Sequence, residues 1–383
     1  MSGERIVVAG GGHVGLAFAC AGRAEEIRVI DPLPAPASPG EGYDVRVFAL
    51  SSGTRSFLRD VGAWERLDPG RVAPVRRMEI FGDGDGRLSF SGRAGTPLAW
   101  IVEGNRLAAA LEEQAATLPY VQLQRGVRVA SCDARAEGAT VELDDGQELE
   151  CDLLVGADGP DSAVRTMLGL EAQQVSYEET AVVANFATGQ GHGDTARQWF
   201  REDGVLAWLP LPGQRISIVW SARIAVAEEL AALEARDFER RVRDAGRSVL
   251  GDLELISAVA RFPLRAIRVD RAVAPGAALI GDAAHAVHPL AGQGVNLGFQ
   301  DARCLAETLE HRSALERPGD LRVLRRYARG RREDVTAMHF VTDRLDRLFA
   351  SGTPGARRLR NLGLKLVDAQ EWAKSALANR AMR

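Results

Sequence analysis

The stretch RIVVAGGGHVGLAFACAGRAEEIRVID, residues 5–31, decides the fold. RIVVA is short, apolar and partly β-branched, the make-up of a buried strand. HVGLAFACAGRA reads as a helix, and EIRVID returns to strand and ends on an acid. Between the first strand and the helix stand Gly10, Gly12 and Gly15, a G-x-G-x-x-G spacing, with Asp31 closing the second strand. The first glycine makes a tight turn, and the second lets backbone N–H groups approach a pyrophosphate at the helix N-terminus. The third lets helix and strand pack closely, and the acid accepts a ribose hydroxyl. An ordinary tight turn would explain the glycines but not the strand, helix and acid in register around them. The loop predicts a dinucleotide and does not by itself choose between FAD and NAD.

Two later segments repeat this grammar. In LLVGADGPDSAVR, residues 153–165, Asp158, Gly159, Ser162 and Arg165 follow a strand end. Alone, that is also what a D-G turn, a capping serine and a surface arginine look like. In GDAAHAVHPLAGQGVNLG, residues 281–298, Gly281 and Asp282 close the buried strand AALI. A carboxylate there can hold sugar-type hydroxyls, and the glycines after Pro289 can open a helix whose N–H groups face an anion. Two strand-end acids plus the first loop point to one long cofactor laid across several strand ends.

The remaining pattern is that of an ordinary globular chain of 383 residues, 46% hydrophobic and 26% charged, long enough for more than one domain. A net charge of −4 argues against nucleic acid as a partner. Four scattered cysteines form no C-x-x-C pair, so neither a disulfide framework nor a metal site is expected, which suits a reducing, cytoplasmic setting. Arg5 and the apolar run after it could pass for a signal peptide, but Glu4 and the glycines suit a strand-turn-helix better. No apolar run is long enough to span a membrane. SSGTRSFLRDVGAWERL and VAEELAALEARDFERRVRDAG read as helices, and Ala181 to Ala222 as a β-rich segment. Beyond Pro289 the chain reads as helical. Residues 321–383 hold 15 basic and 6 acidic side chains, a net +9.

GGGHVG, DVRVFALS, GADGPDSAVR and GDAAHAVHPLAGQGVNLG together resemble the FAD-dependent aromatic hydroxylases of the p-hydroxybenzoate hydroxylase-like fold. ARQWFREDGVLAWLPLP, VWS, RFPL and RLRNLGLKLVD bring the chain closer to the ubiquinone-biosynthesis hydroxylase family within that group. The resemblance covers nearly the whole chain. It implies an α/β fold: a Rossmann-like FAD-binding domain (1–73, 99–172 and 262–320), an inserted β-rich substrate domain (74–98 and 173–261) and a helical C-terminal region (321–383). Gly10, Gly12, Gly15 and Asp31 would then hold the ADP part of FAD. Arg46 matches a loop arginine near the cofactor, and Asp158 and Gly159 a motif tied to both FAD and NAD(P)H. Gly281 and Asp282 would meet the ribityl chain. The N–H groups of Gly292, Gln293, Gly294, Val295 and Asn296 would face the N1/O2 edge of the flavin. Two departures stand out: Asp31 replaces a more usual Glu, and VEGNRL carries Gly104 where the family has Asn.

The activity implied is hydroxylation of an aromatic ring by a flavin C4a-hydroperoxide formed with NAD(P)H and O2, on a small-molecule aromatic substrate, a polyprenylated phenol above all. Pro289 would lie near the reactive flavin carbon. His288, beside it, is a candidate to position or deprotonate the substrate, and His285 is read as a satisfied structural histidine. Trp199, Phe200, Trp208 and Pro210 are candidates for the substrate wall, with sheet core as the competing reading. The basic tail either rests on the inner face of an anionic membrane or docks on a biosynthetic complex, or else it faces solvent. Two other functions compete: an aromatic hydroxylase of another pathway, and a flavin-bearing scaffold without turnover. A flavin halogenase is disfavoured because LAWLPLP lacks that family's W-x-W-x-I-P.

Overall fold

The computed structural model describes residues 3–84, 86–92, 95–287 and 294–350, with the backbone alone over 339–350. Among these residues the α-helices are α1 (His13–Ala21), α2 (Ser52–Asp60), α3 (Gly104–Ala116), α4 (Ala163–Met167), α5 (Ile224–Ala232), α6 (Ala235–Ala245), α7 (Gly294–Glu310) and α8 (Leu321–Ala350).

The opening stretch forms the βαβ unit its pattern predicts. Strands Arg5–Ala9 and Glu26–Asp31 lie parallel, with α1 between them. They sit in a six-stranded sheet whose order is Val273–Ala274, Ala277–Leu279, Leu153–Gly156, Arg5–Ala9, Glu26–Asp31, Val121–Arg125. Both faces are buried, which explains the unbroken apolar runs. Ile6 and Val8 pack with α1, α3, α7 and α8 on one side. Val7 and Ala9 face α4 and a three-stranded antiparallel sheet on the other. Three strand ends in this sheet, at Ala9, Asp31 and Gly156, therefore point the same way, where the topology of such sheets places ligands.

The second large sheet takes its strands from 77–91, 172–269 and 285–286. Its longest member, Ala172–Thr188, starts nine residues ahead of the β-rich segment expected from Ala181. The polar first half, AQQVSYEE, hides the strand, which is held there by pairing with Arg265–Val269. The helix expected across 226–246 breaks into α5 and α6 at Leu233 and Glu234, whose backbones are extended. The break lets Leu230 and Phe238 both reach the sheet.

The sheet has two unlike faces. Val182, Ala184, Phe186, Trp199, Leu206, Trp208, Ile216, Ile218 and Trp220 project to one side, beneath α5 and α6. Strand register puts Ala181, Val183, Asn185, Ser217, Val219, Ser221, Ala207 and Leu209 on the other. That inner face meets the cofactor half: Asn185 donates to the backbone oxygens of Tyr43 and Asp44, and Leu209 and Leu211 pack with Val75 and Ile101.

Candidate cofactor site

The glycine loop has the geometry a diphosphate needs. Gly10 adopts φ +107, and a Cβ on it would come within 2.3 Å of the Ala157 oxygen. A Cβ on Gly15 would come within 1.9 Å of the Gly10 oxygen, so helix and turn meet only because this residue is glycine. Gly12 is the opposite case: nothing stands within 4 Å of where its Cβ would be. No side chain caps α1 at Gly12, so the first-turn N–H groups are left for an anion. His13, at the start of α1, donates from Nε2 to Gly104 O at 2.9 Å; burial lowers its pKa, and Arg46 adds to the effect.

The three strand-end acids differ in what occupies them. Asp31 accepts from Gly11 N at 2.6 Å and Leu33 N at 2.8 Å, with Arg125 3.5 Å away, so it braces the loop it follows. Asp158 accepts from the Ser162 hydroxyl at 2.5 Å and from Val164 N at 3.1 Å. Ser162 in turn caps α4 through Arg165 N. Arg165 is buried rather than on the surface, and it donates to Ala283 O at 3.0 Å, tying the Asp158 loop to the Asp282 turn. Gly159, at φ +83, has open space where a Cβ would stand. Asp282 has no hydrogen-bond partner among the described residues. Burial raises its pKa, and the charges of His285, Arg46 and Arg265 only partly offset this. An acid kept without a protein donor at this place fits sugar-type hydroxyls.

Arg46 is exposed over the Phe48 ring, on a loop whose backbone is held from many sides. Arg106 donates to Gly40 O, Arg71 to Glu41 O and Gly42 O, and Asn185 to Tyr43 O and Asp44 O. Glu103, itself held by Arg71 and Arg106, accepts from Asp44 N. The spacing of VEGNRL gave no hint of this clamp.

At the start of α7, Asn296 is buried and spends its side chain on Ser51 N and Ala49 O, both at 2.9 Å, which anchors the helix mouth. The backbone N–H groups of Gly294, Val295 and Asn296 lie in its first turn. His288, Pro289, Gly292 and Gln293 lie outside the described residues. His285 is buried, with Nε2 2.6 Å from Asp301 Oδ2.

The expected substrate wall needs correction. Trp199 and Trp208 are buried with α5 and α6, and a Cβ on Gly246 would collide with the Trp208 ring. Pro210 pairs in register with Ile216 of that same covered core. Large rings on a sheet face are cheapest to bury where helices cover them, so these three are fold residues. Phe200 alternates with Trp199 and belongs to the inner face.

Asp301 and Arg331 escaped the sequence reading. Each stands at a core-facing position of its helix, Asp301 in line with Leu297, Leu305 and Leu309, and Arg331 one turn beyond Tyr327. A charge interrupting an apolar stripe was the signal available.

The features that FAD requires are thus present: an uncapped helix start before open space at Gly12, a free carboxylate at Asp282, and both on one side of a parallel sheet. The comparisons agree. The FAD binding domain family model matches residues 5–340. The ubiquinone hydroxylase UbiL of Rhodospirillum rubrum is 32% identical, covering 98% of this chain and 89% of the relative. The 3-demethoxyubiquinol 3-hydroxylase of Escherichia coli is 33% identical, covering 95% and 94%. Among solved structures, p-nitrophenol 4-monooxygenase of Pseudomonas putida shares the fold with a TM-score of 0.78 at 18% identity, covering 99% of each chain. The chain belongs to the FAD binding domain family, as an FAD-dependent monooxygenase of the ubiquinone-hydroxylase branch.

Proposed function

We propose that the protein hydroxylates the ring of a polyprenylated phenol, a precursor of ubiquinone, using NAD(P)H and O2. The observation that carries this reading is likeness along nearly the whole chain to two hydroxylases named for ubiquinone and demethoxyubiquinol. FAD, when bound, would carry two electrons from NAD(P)H to O2 and so deliver one activated oxygen atom, the other leaving as water. The chain's own residues hold, orient and keep dry. The α1 start and Gly12 would receive the diphosphate, Asp282 would accept from the ribityl hydroxyls, and the first-turn N–H groups of α7 would stabilise negative charge on the flavin. The inner sheet face, with Ala181, Val183, Ala207, Val219 and Phe200, forms an apolar floor for the substrate ring. By the sequence resemblance alone, Pro289 would belong to the flavin side of the site, and His288 would position the substrate hydroxyl or take its proton.

The test is NAD(P)H oxidation by the yellow, FAD-loaded protein in air, with and without a polyprenyl phenol. Stimulated oxidation with a product carrying one more oxygen atom is expected. Oxidation indifferent to every phenol would leave a flavin-bearing scaffold instead. For His288, the expected result is that His288→Ala keeps its FAD and loses the alkaline-rising limb of the pH–rate profile; an unchanged profile removes the role.

Among the described residues no helix is long and apolar enough to cross a membrane. Arg322, Arg325, Arg329 and Arg332 are exposed along α8, which leads into the basic tail. This supports a peripheral contact with anionic lipid at the inner face of the cytoplasmic membrane, where a prenylated substrate resides. Co-sedimentation with anionic vesicles that weakens with salt is expected, and no binding at low salt would dismiss the contact.

A further inference from the structure

The Asp282 turn is held by an ionic group that the functional reading does not use. Asp301, on α7, is completely buried, and both of its oxygens are taken. Oδ2 accepts from Gly281 N at 2.9 Å and lies 2.6 Å from His285 Nε2. Oδ1 accepts from Arg331 Nε at 2.7 Å. Arg331 comes from α8 and is also buried, and its other donors reach Gln300 Oε1 at 3.1 Å and Asp334 at 2.9 Å. A second tie joins the same helix to the strand before the turn, where the Tyr327 hydroxyl donates to Leu279 O at 2.9 Å.

We propose that Asp301 and Arg331 are positioning residues for FAD: they clamp the Gly281–His285 turn so that Asp282 faces the ribityl chain, making α8 part of the cofactor seat. Taking two charges out of water costs several kcal/mol, and an apolar pair at these positions would pack at least as well. A leucine at 301 would continue the stripe of Leu297, Leu305 and Leu309, but it could not accept from Gly281 N. What the ion pair adds is aim. Gly281 N and His285 lie on either side of Asp282, and both are bound to one carboxylate oxygen, so the intervening residue cannot turn away. Burial alone would push the Asp301 carboxyl up, yet His285 and Arg331 hold it below the usual range, so the clamp stays ionised.

The inference rests on Asp282 facing FAD, and the experiment separates the two. Apoprotein is titrated with FAD by flavin fluorescence, and the unfolding midpoint of each apoprotein is recorded beside it. Asp301→Asn and Arg331→Met are each expected to weaken FAD by about tenfold or more, because each leaves a buried partner uncompensated. The double variant should be no worse than about twice the weaker single one, since the charges depart together. Arg331→Lys should recover part of the loss. FAD affinity within about twofold of the parent in a folded Arg331→Met protein, with only the unfolding midpoint lowered, overturns the proposal. So does a double variant whose loss is the product of the two singles. Should Arg331→Met not fold, Arg331→Lys decides: affinity weakened by about threefold supports the clamp, and unchanged affinity removes it. Asp282→Asn tests the underlying reading: if it weakens FAD while the Asp301 and Arg331 variants do not, the clamp fails and the site stands. If Asp282→Asn leaves FAD binding unchanged, both fall.

Discussion

The two faces of the large sheet invite opposite readings in sequence and in structure. One carries Trp199, Trp208, Trp220 and Phe186, aromatic residues of the kind that line ligand sites, yet α5 and α6 cover them completely. The other carries mostly small residues, Ala181, Val183, Ala207 and Val219, and looks toward the cofactor half. A sheet face under two helices gains most from large rings, because the helices bury them fully. The strand-end acids divide the same way. Asp158 and Asp31 are engaged by Ser162, Val164, Gly11 and Leu33, while Asp282 accepts nothing from the described protein. In both comparisons the proposed contact is placed where the fold leaves a group or a face without a local partner.

Substitutions that treat neighbours differently test this contrast. The largest effect is expected from Trp208→Ala, which should cost ~3–5 kcal/mol of stability in denaturant unfolding. The fraction that stays folded should bind substrate as before; a cost under about 1 kcal/mol would take Trp208 out of the core. Asp282→Asn should weaken FAD by roughly 2 kcal/mol, the loss of hydrogen bonds to a charged acceptor, in fluorescence titration. The pH dependence follows from burial, which raises the Asp282 carboxyl in the free protein. Ribityl hydroxyls donate to the ionised form, so FAD affinity is full above that raised pKa and declines as pH falls through it. The Asp282→Asn protein should lack this decline, and an equal slope in both would assign the acid limb to another group.

Ala207→Phe, one residue from Trp208 but on the inner face, should reverse the pattern of Trp208→Ala. We expect kcat/KM to fall about tenfold, ~1.4 kcal/mol, with FAD content kept and the unfolding midpoint little moved. An unchanged KM together with a large stability loss would put the substrate elsewhere. The smallest effect should come from Ser162→Ala, about 1 kcal/mol of stability for a lost helix cap. A much larger loss of FAD affinity there would mean that Asp158, freed of its serine, no longer holds its loop.

How far the sequence could be read depended on the range of the interaction. The glycine loop is local: Gly10, Gly12 and Gly15 take their roles from the strand before them and the helix after them, and each has the surroundings its spacing implies. The turn at Asp282 was legible for the same reason. The break between α5 and α6 was not, because their apolar spacing continues across Leu233, and only the sheet beneath them bends the backbone. Nor was the first half of Ala172–Thr188, a polar strand made by its partner. Asp301 and Arg331 stand 30 residues apart on two helices, and nothing local marks them as a pair.

By itself the sequence determined the βαβ start, the strand-end acids and the family, because these depend on residues within a turn or two of one another. Tertiary structure alone decided which strand-end acid has no donor among the described residues, which face of the large sheet α5 and α6 cover, and which charges meet behind the Asp282 turn. Those outcomes depend on which partner arrives from a distant part of the chain, and side-chain alternation along a strand defines two faces without saying which one a helix will cover.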